Sequence, residues 1–160
     1  VGQTTEVTTW LSLERTSEVA QEIKAVPDQE DVRKGLRILM AEDNEMNTEI
    51  TKSFLERMGI SVTCAVNGQI ACSLFSDSKP NFYDAILMDI RMPVLNGYEA
   101  AMKIRSADRA DASGIPIIAM SADIFEEDIA KAKQAGINDA LSKPVDADKM
   151  YQIIEKNIKV

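Results

Sequence analysis

Five times between Leu36 and Val160, a short apolar run gives way to an amphipathic stretch through only a few turn residues. Apolar runs bounded by turn signals suit strands, while apolar residues spaced three and four apart suit helices burying one face. Leu36–Ala41 is the first run. Met46, Ile50, Phe54 and Met58 follow at i+4 spacing, which predicts the buried face of a helix that Gly59 closes. Ile60, Val62, Cys64 and Val66 alternate with Ser61, Thr63 and Ala65, and Asn67-Gly68 turns into a helix carrying Ile70, Leu74 and Phe75. Ala85–Met88 is the third run, and Asn96-Gly97 opens a helix with Tyr98, Ala101 and Ile104 inward. Ile115–Met120 precedes a helix over 123–135 whose apolar stripe is Ile124, Ile129 and Ala132, ended by Gly136. Ile137–Ser142 is the fifth run, and Asp146 can cap a last helix bearing Met150, Ile153, Ile154 and Ile158.

Strands alternating with helices over short links imply a parallel sheet with helices on both faces, an α/β doubly wound five-stranded architecture. Right-handed crossovers leave two main candidates, a flavodoxin-like order 2-1-3-4-5 or half of a dinucleotide-binding sheet. The second run alternates, as an edge strand does, and this favours 2-1-3-4-5. No Gly-x-Gly-x-x-Gly and no Gly-x-x-x-x-Gly-Lys follows the first strand, so the phosphate cradles of nucleotide folds are missing.

Composition narrows the chemistry. The 160 residues contain no histidine, which excludes His-based acid–base catalysis and Ser-His-Asp or Cys-His nucleophile systems. Phosphohistidine chemistry would need its histidine on another molecule or elsewhere in a parent chain. Cys64 and Cys72 are the only cysteines; they suggest neither a disulfide framework nor a zinc site, and both read as small core hydrophobes in a cytoplasmic protein. A net charge of −8 argues against nucleic acid as a partner. No apolar run approaches the ~18 residues of a membrane span, so this segment is expected to make no membrane contact, whether or not a parent protein is anchored.

Asp89 ends the third run, where open α/β folds do their chemistry. Alone, it could be a nucleophile or a metal ligand, and capping of the next helix or simple solvation is as good a reading as either chemistry. In order 2-1-3-4-5 the first and third strands are neighbours, so Glu42 and Asp43 fall beside it. Two like charges ~4 Å apart repel by about 4 kcal/mol at an effective dielectric of ~20. Either their pKa values rise or a cation sits among them. An all-oxygen cluster of this charge suits Mg²⁺ or Mn²⁺. Ser121 follows the fourth strand and Lys143 the fifth, so acids, a hydroxyl and an ammonium share one rim. Together they make a phosphoryl site with Asp89 as the attacking oxygen. A metal-dependent phosphatase of the haloacid dehalogenase type also uses a strand-end aspartate. It needs a second acid two residues on, where this chain has Arg91.

Glu42-Asp43-Asn44, Met88-Asp89-Ile90-Arg91-Met92-Pro93, Asn96-Gly97, Ala119-Met120-Ser121-Ala122 and Lys143-Pro144 together resemble the receiver domain of two-component signalling. The resemblance covers nearly all of 36–160. It implies that Asp89 is the phosphoacceptor, that Asp43 and Asp89 bind Mg²⁺, and that Glu42 assists through water while the Arg91 carbonyl is a further ligand. It also implies that Ser121 and Lys143 contact the phosphoryl group, and that the Lys143-Pro144 bond is cis. Arg91 and Asp123, two positions after Asp89 and Ser121, would flank the path of hydrolytic water. Such a domain catalyses its own phosphorylation and slow dephosphorylation. One departure stands out: Ala140 occupies the position, three before the lysine, where many receivers carry a switching Tyr or Phe.

Asn44-Glu45-Met46-Asn47 and Met88-Asp89-Ile90-Arg91-Met92-Pro93 look most like receivers fused to hybrid sensor kinases, and residues 2–13 are similar to the last strand of a histidine kinase ATP-binding domain. The implied organisation is a remnant of that domain at 1–14, a partly helical linker at 15–35 and the receiver at 36–160. The implied partners are a histidine kinase phosphodonor domain and a histidine phosphotransfer protein, with homodimerisation left open. A stand-alone response regulator and a docking-only pseudo-receiver are the alternatives.

Overall fold

The structure is a computed structural model that describes residues 35–158, so the expectations for the strand at 1–14 and nearly all of the linker lie outside the described residues. Five strands, β1 (Arg37–Ala41), β2 (Ser61–Ala65), β3 (Ala85–Asp89), β4 (Ile117–Ser121) and β5 (Asp139–Ser142), form one parallel sheet. Their order is 2-1-3-4-5, as the alternation in the second run predicts. Between and after them lie α1 (Glu45–Arg57), α2 (Gly68–Asp77), α3 (Gly97–Arg105), α4 (Glu126–Ala135) and α5 (Ala147–Asn157).

The sheet's two faces carry separate cores because strand side chains alternate. Leu39, Ile86, Met88 and Ile117 meet Phe75 of α2 and Ile104 of α3 on one face. Ile38, Met40, Leu87, Ile118 and Met120 meet Leu55 of α1 with Met150 and Ile154 of α5 on the other. Residues of β3 are buried throughout, as a central strand covered on both faces requires. Asparagines start three helices: Asn44, Asn67 and Asn96 each accept a backbone N–H three residues on. Asp146 caps α5 by accepting from Asp148 and Lys149. Pro116 falls just before β4, where its missing N–H costs nothing and its carbonyl still accepts from Ile86. The Lys143-Pro144 bond is cis.

Three side-chain expectations are corrected. Met46 and Ile50 are 72% and 44% exposed, and α1 instead buries Thr51 and Leu55, while Met58, just past its end, is buried as expected. Strict i+4 steps advance about 40° around a helix, so the row from Met46 winds away from the sheet and only its end reaches the core. Cys64 is exposed, not core: it lies on the edge strand, opposite the charged Lys52, Glu49 and Glu56 of α1. Cys72 does pack against the core. Finally, α4 starts only at Glu126, and Ile124 and Ile129 are exposed; Ala135 is its one buried residue. Its carboxyl end is pinned by Arg105, whose Nε donates to the Gly136 carbonyl at 2.9 Å. No described helix is long and apolar enough to cross a membrane.

Candidate functional site

Parallel strands point their carboxyl ends the same way, so residues following β1, β3, β4 and β5 gather on one rim. Glu42 and Asp43 follow β1, Asp89 ends β3, Ser121 ends β4 and Lys143 follows β5. Carboxylate oxygens of Glu42, Asp43 and Asp89 lie within 4.8 Å of one another. Glu42 and Asp89 are buried, 3% and 4% exposed, while Asp43 is exposed at the mouth. The three acids thus meet as their strand positions predict.

The two buried acids share a cation supplied by the chain itself. Lys143 Nζ stands 2.6 Å from Glu42 Oε2 and 3.2 Å from Asp89 Oδ2. The other oxygens of these acids accept backbone N–H groups, Asn44 to Glu42 at 3.1 Å and Arg91 to Asp89 at 3.2 Å. Sequence reasoning placed Lys143 on the rim but not in this pair with Glu42. Burial and the Glu42 charge push the Asp89 carboxyl up to about 6, with Lys143 pulling the other way. Burial would lower the Lys143 ammonium, but the hydrogen bond to Glu42 and the charges of Asp89 and Glu42 outweigh it and hold it above its ordinary value.

Ser121 is half-buried and its hydroxyl donates to the Asp123 carbonyl at 2.9 Å, while its own carbonyl accepts from Lys143 N–H at 2.8 Å. Arg91 Nη2 and Asp123 Oδ2 face each other across the mouth at 3.9 Å, both largely exposed. Ala140 pairs in register with Ala119 on the sheet, and no aromatic ring stands there. Two polar residues went unnoticed in the sequence. Tyr98, read only as a core residue, donates its hydroxyl to Asp128 of α4 at 3.4 Å. Both line a cleft of about 450 Å³ that also includes Asp43 and Arg91. Thirty positions separate them, so no local pattern could signal the contact.

The donor set is all oxygen and strongly anionic at its mouth, which fits a hard divalent cation. With these carboxylates stand a hydroxyl, Ser121, and an ammonium, Lys143, and groups of these kinds can serve phosphoryl transfer.

Known proteins share this sequence pattern and fold. Residues 38–155 match the family model described as the response regulator receiver domain. The chain is 37% identical over 124 residues to "Hybrid signal transduction histidine kinase I" of Dictyostelium discoideum; the match covers 76% of this chain but only 7% of that protein. Among solved structures, the receiver domain of sensor histidine kinase PA1611 from Pseudomonas aeruginosa, with magnesium coordinated in its active-site cleft, has a TM-score of 0.69 at 36% identity. That match covers 77% of this chain and 97% of the other. The receiver domain of Saccharomyces cerevisiae Ssk1, solved in complex with the histidine phosphotransfer protein Ypd1, has a TM-score of 0.69 at 33% identity, covering 78% and 89%.

A pH dependence follows from Asp89. Its folded pKa of about 6 exceeds the ordinary 3.8, so the folded chain holds this proton more tightly than the unfolded chain does. The contribution of Asp89 to stability without metal should therefore fall as pH rises from about 4 through about 6, while Asp111 and Asp139, held below the ordinary carboxylate value, act in the opposite sense at the acid end. In Asp89→Asn that decline should flatten, and the variant should unfold at higher urea than the parent at neutral pH. Urea midpoints of parent and variant measured in chelator across this range check it; a parent that does not lose ground to the Asn variant over the interval, or an Asn variant weaker at neutral pH, contradicts it.

Proposed function

The chain belongs to the response regulator receiver domain family, and from that premise we propose that it accepts a phosphoryl group from phosphohistidine onto Asp89. The observation that carries the reading is a buried aspartate lying between a lysine and two further acids at a strand end. Asp89 Oδ attacks phosphorus while the phosphorus–nitrogen bond of the donor breaks and its electron pair returns to the imidazole. The product is an acyl phosphate on Asp89. Lys143 pairs with one oxygen of the transferred group and the Ser121 hydroxyl donates to another. Glu42 keeps the ammonium aimed at Asp89 throughout.

Asp43, Asp89 and the Arg91 carbonyl are the proposed ligands of Mg²⁺, with Glu42 assisting through water; Mn²⁺ shares the donor preference and is the alternative. When bound, the ion would neutralise phosphoryl oxygens as charge shifts onto them. The magnesium coordinated in the active-site cleft of the PA1611 receiver supports a divalent cation as the ligand.

Histidine is absent from this chain, so donor and acceptor histidines lie elsewhere. Met46, at the start of α1, and Val94, between β3 and α3, are 72% and 80% exposed. Apolar side chains around a charged centre suit docking of a protein rather than a small phosphate. A histidine phosphotransfer protein, the kind of partner bound to the Ssk1 receiver, is the proposed partner. The parent is proposed to be a hybrid sensor kinase, as in the Dictyostelium relative.

Incubation with a phosphorylated histidine phosphotransfer protein and Mg²⁺, then mass spectrometry, should place the label on Asp89, and Asp89→Asn should stay folded and unlabelled. A label elsewhere, or an undiminished one in Asp89→Asn, refutes the assignment. A second test concerns phosphoryl lifetime. Arg91 and Asp123 can hinder in-line water, but an exposed pair is worth ~0–1 kcal/mol, which converts to at most about fivefold in rate. Arg91→Ala should therefore lose phosphate from Asp89 up to about five times faster, with Asp123→Ala adding little in the double variant. Hydrolysis equal to or slower than the parent's means that the pair is no gate.

A further inference from the structure

The loop from Ile90 to Asn96 carries Arg91, whose backbone N–H reaches Asp89, and it is held in a conformation its own residues disfavour. Val94 has φ 71°, a left-handed value that a β-branched side chain resists. Leu95 N–H donates to the Pro93 carbonyl at 2.8 Å, closing a three-residue γ-turn of the strained kind around Val94. The Val94 side chain is 80% exposed, so its own burial does not compensate. Strain of this sort persists only where the surroundings over-determine the backbone.

Two glycines supply those surroundings. At the inner side, a Cβ on Gly97 would lie 2.4 Å from the Asp89 carbonyl oxygen. From the opposite direction comes Gly68, the first residue of α2. A Cβ there would lie 2.4 Å from the Leu95 carbonyl oxygen and 3.0 Å from Ala100 Cβ. Gly68 cannot retreat, because it is buried and Asn67 caps its helix by accepting Ile70 N–H at 2.8 Å. The start of α2 is therefore a backstop that confines the strained turn from outside.

We infer that Gly68 is a positioning residue for the phosphoacceptor site, holding the β3–α3 loop so that the Arg91 backbone stays fixed beside Asp89. The inference rests on the phosphoacceptor reading. Any side chain at 68 would drive the Leu95 carbonyl back by roughly half an ångström or more. Misplacement of about 1 Å can cost ~10²-fold in such sites.

The test compares Gly68→Ala with the parent and two other variants for Mg²⁺ affinity and for phosphorylation rate, at a temperature where all are folded. Gly114→Ala has nothing within 4 Å of its new Cβ and should leave both unchanged. Phe75→Leu, on the core face of the same helix, should lower the melting temperature yet keep Mg²⁺ affinity. Gly68→Ala should lose about tenfold or more in both readouts. Should Gly68→Ala alone not fold, Gly68→Ala with Ala100→Gly removes the side-chain part of the clash, keeps the Leu95 contact, and should show the same loss. Parent-like affinity and rate in either Gly68 variant, or an affinity loss in Phe75→Leu as large as theirs, overturns the positioning role alone. A parent that binds no Mg²⁺ and takes no phosphate overturns the phosphoacceptor reading, and this inference with it.

Discussion

Lys143 stands between two carboxylates that would otherwise be buried without a cation, 2.6 Å from Glu42 and 3.2 Å from Asp89. An unpaired charge in a protein interior costs several kcal/mol even after relaxation, so removing the ammonium would leave the strand ends electrostatically unstable. The fold exists around that requirement. Order 2-1-3-4-5 sets β1 beside β3, which joins the acids, and sets β4 beside both β3 and β5, which brings Ser121 and Lys143 to the same rim. Glu42 has the less obvious part. One of its oxygens accepts from Lys143 and the other from Asn44 N–H, so its charge holds the lysine in reach of Asp89 and raises the pKa of Asp89.

Rigidity is unevenly distributed about this rim. The two cores cover opposite faces of the sheet, and the β3–α3 loop is confined between Gly68 and Gly97. On the other flank, α4 buries only Ala135 and is secured at its carboxyl end by Arg105. Its amino-terminal half is joined across the cleft by the 3.4 Å Tyr98–Asp128 contact, with the Arg91–Asp123 pair just before it. With alanine at position 140, no aromatic ring links β5 to Ser121. The polar contacts of Tyr98 and Arg91 lie on that flank instead.

Much of this was legible in one dimension because the periodicities were strong. The alternation from Ile60 to Val66 placed β2 at an edge, and that single inference set the strand order and hence the meeting of Glu42, Asp43 and Asp89. Errors arose where spacing is a poor proxy for direction. The i+4 row on α1 drifted off the sheet, leaving Met46 exposed, and α4 kept an apolar stripe although little packs on it. Cys64 looked like core because alternation cannot say which face of an edge strand is covered. Contacts across thirty or more residues, such as Tyr98 with Asp128 or Lys143 with Glu42, left no local trace. Gly68 was readable as a turn residue, but its approach to Leu95 exists only in three dimensions.

The central claim is that the rim formed by Glu42, Asp43, Asp89, Ser121 and Lys143 is one site for a metal ion and a phosphoryl group. Its most direct test is backbone amide NMR of the chain titrated with Mg²⁺ and then with beryllofluoride, a tetrahedral phosphoryl mimic. Chemical-shift changes should concentrate at Asp43, Asp89 to Arg91, Ser121 and Lys143, and should vanish on adding the mimic to Asp89→Asn. Changes centred elsewhere, or none at saturating Mg²⁺ and beryllofluoride, would contradict it.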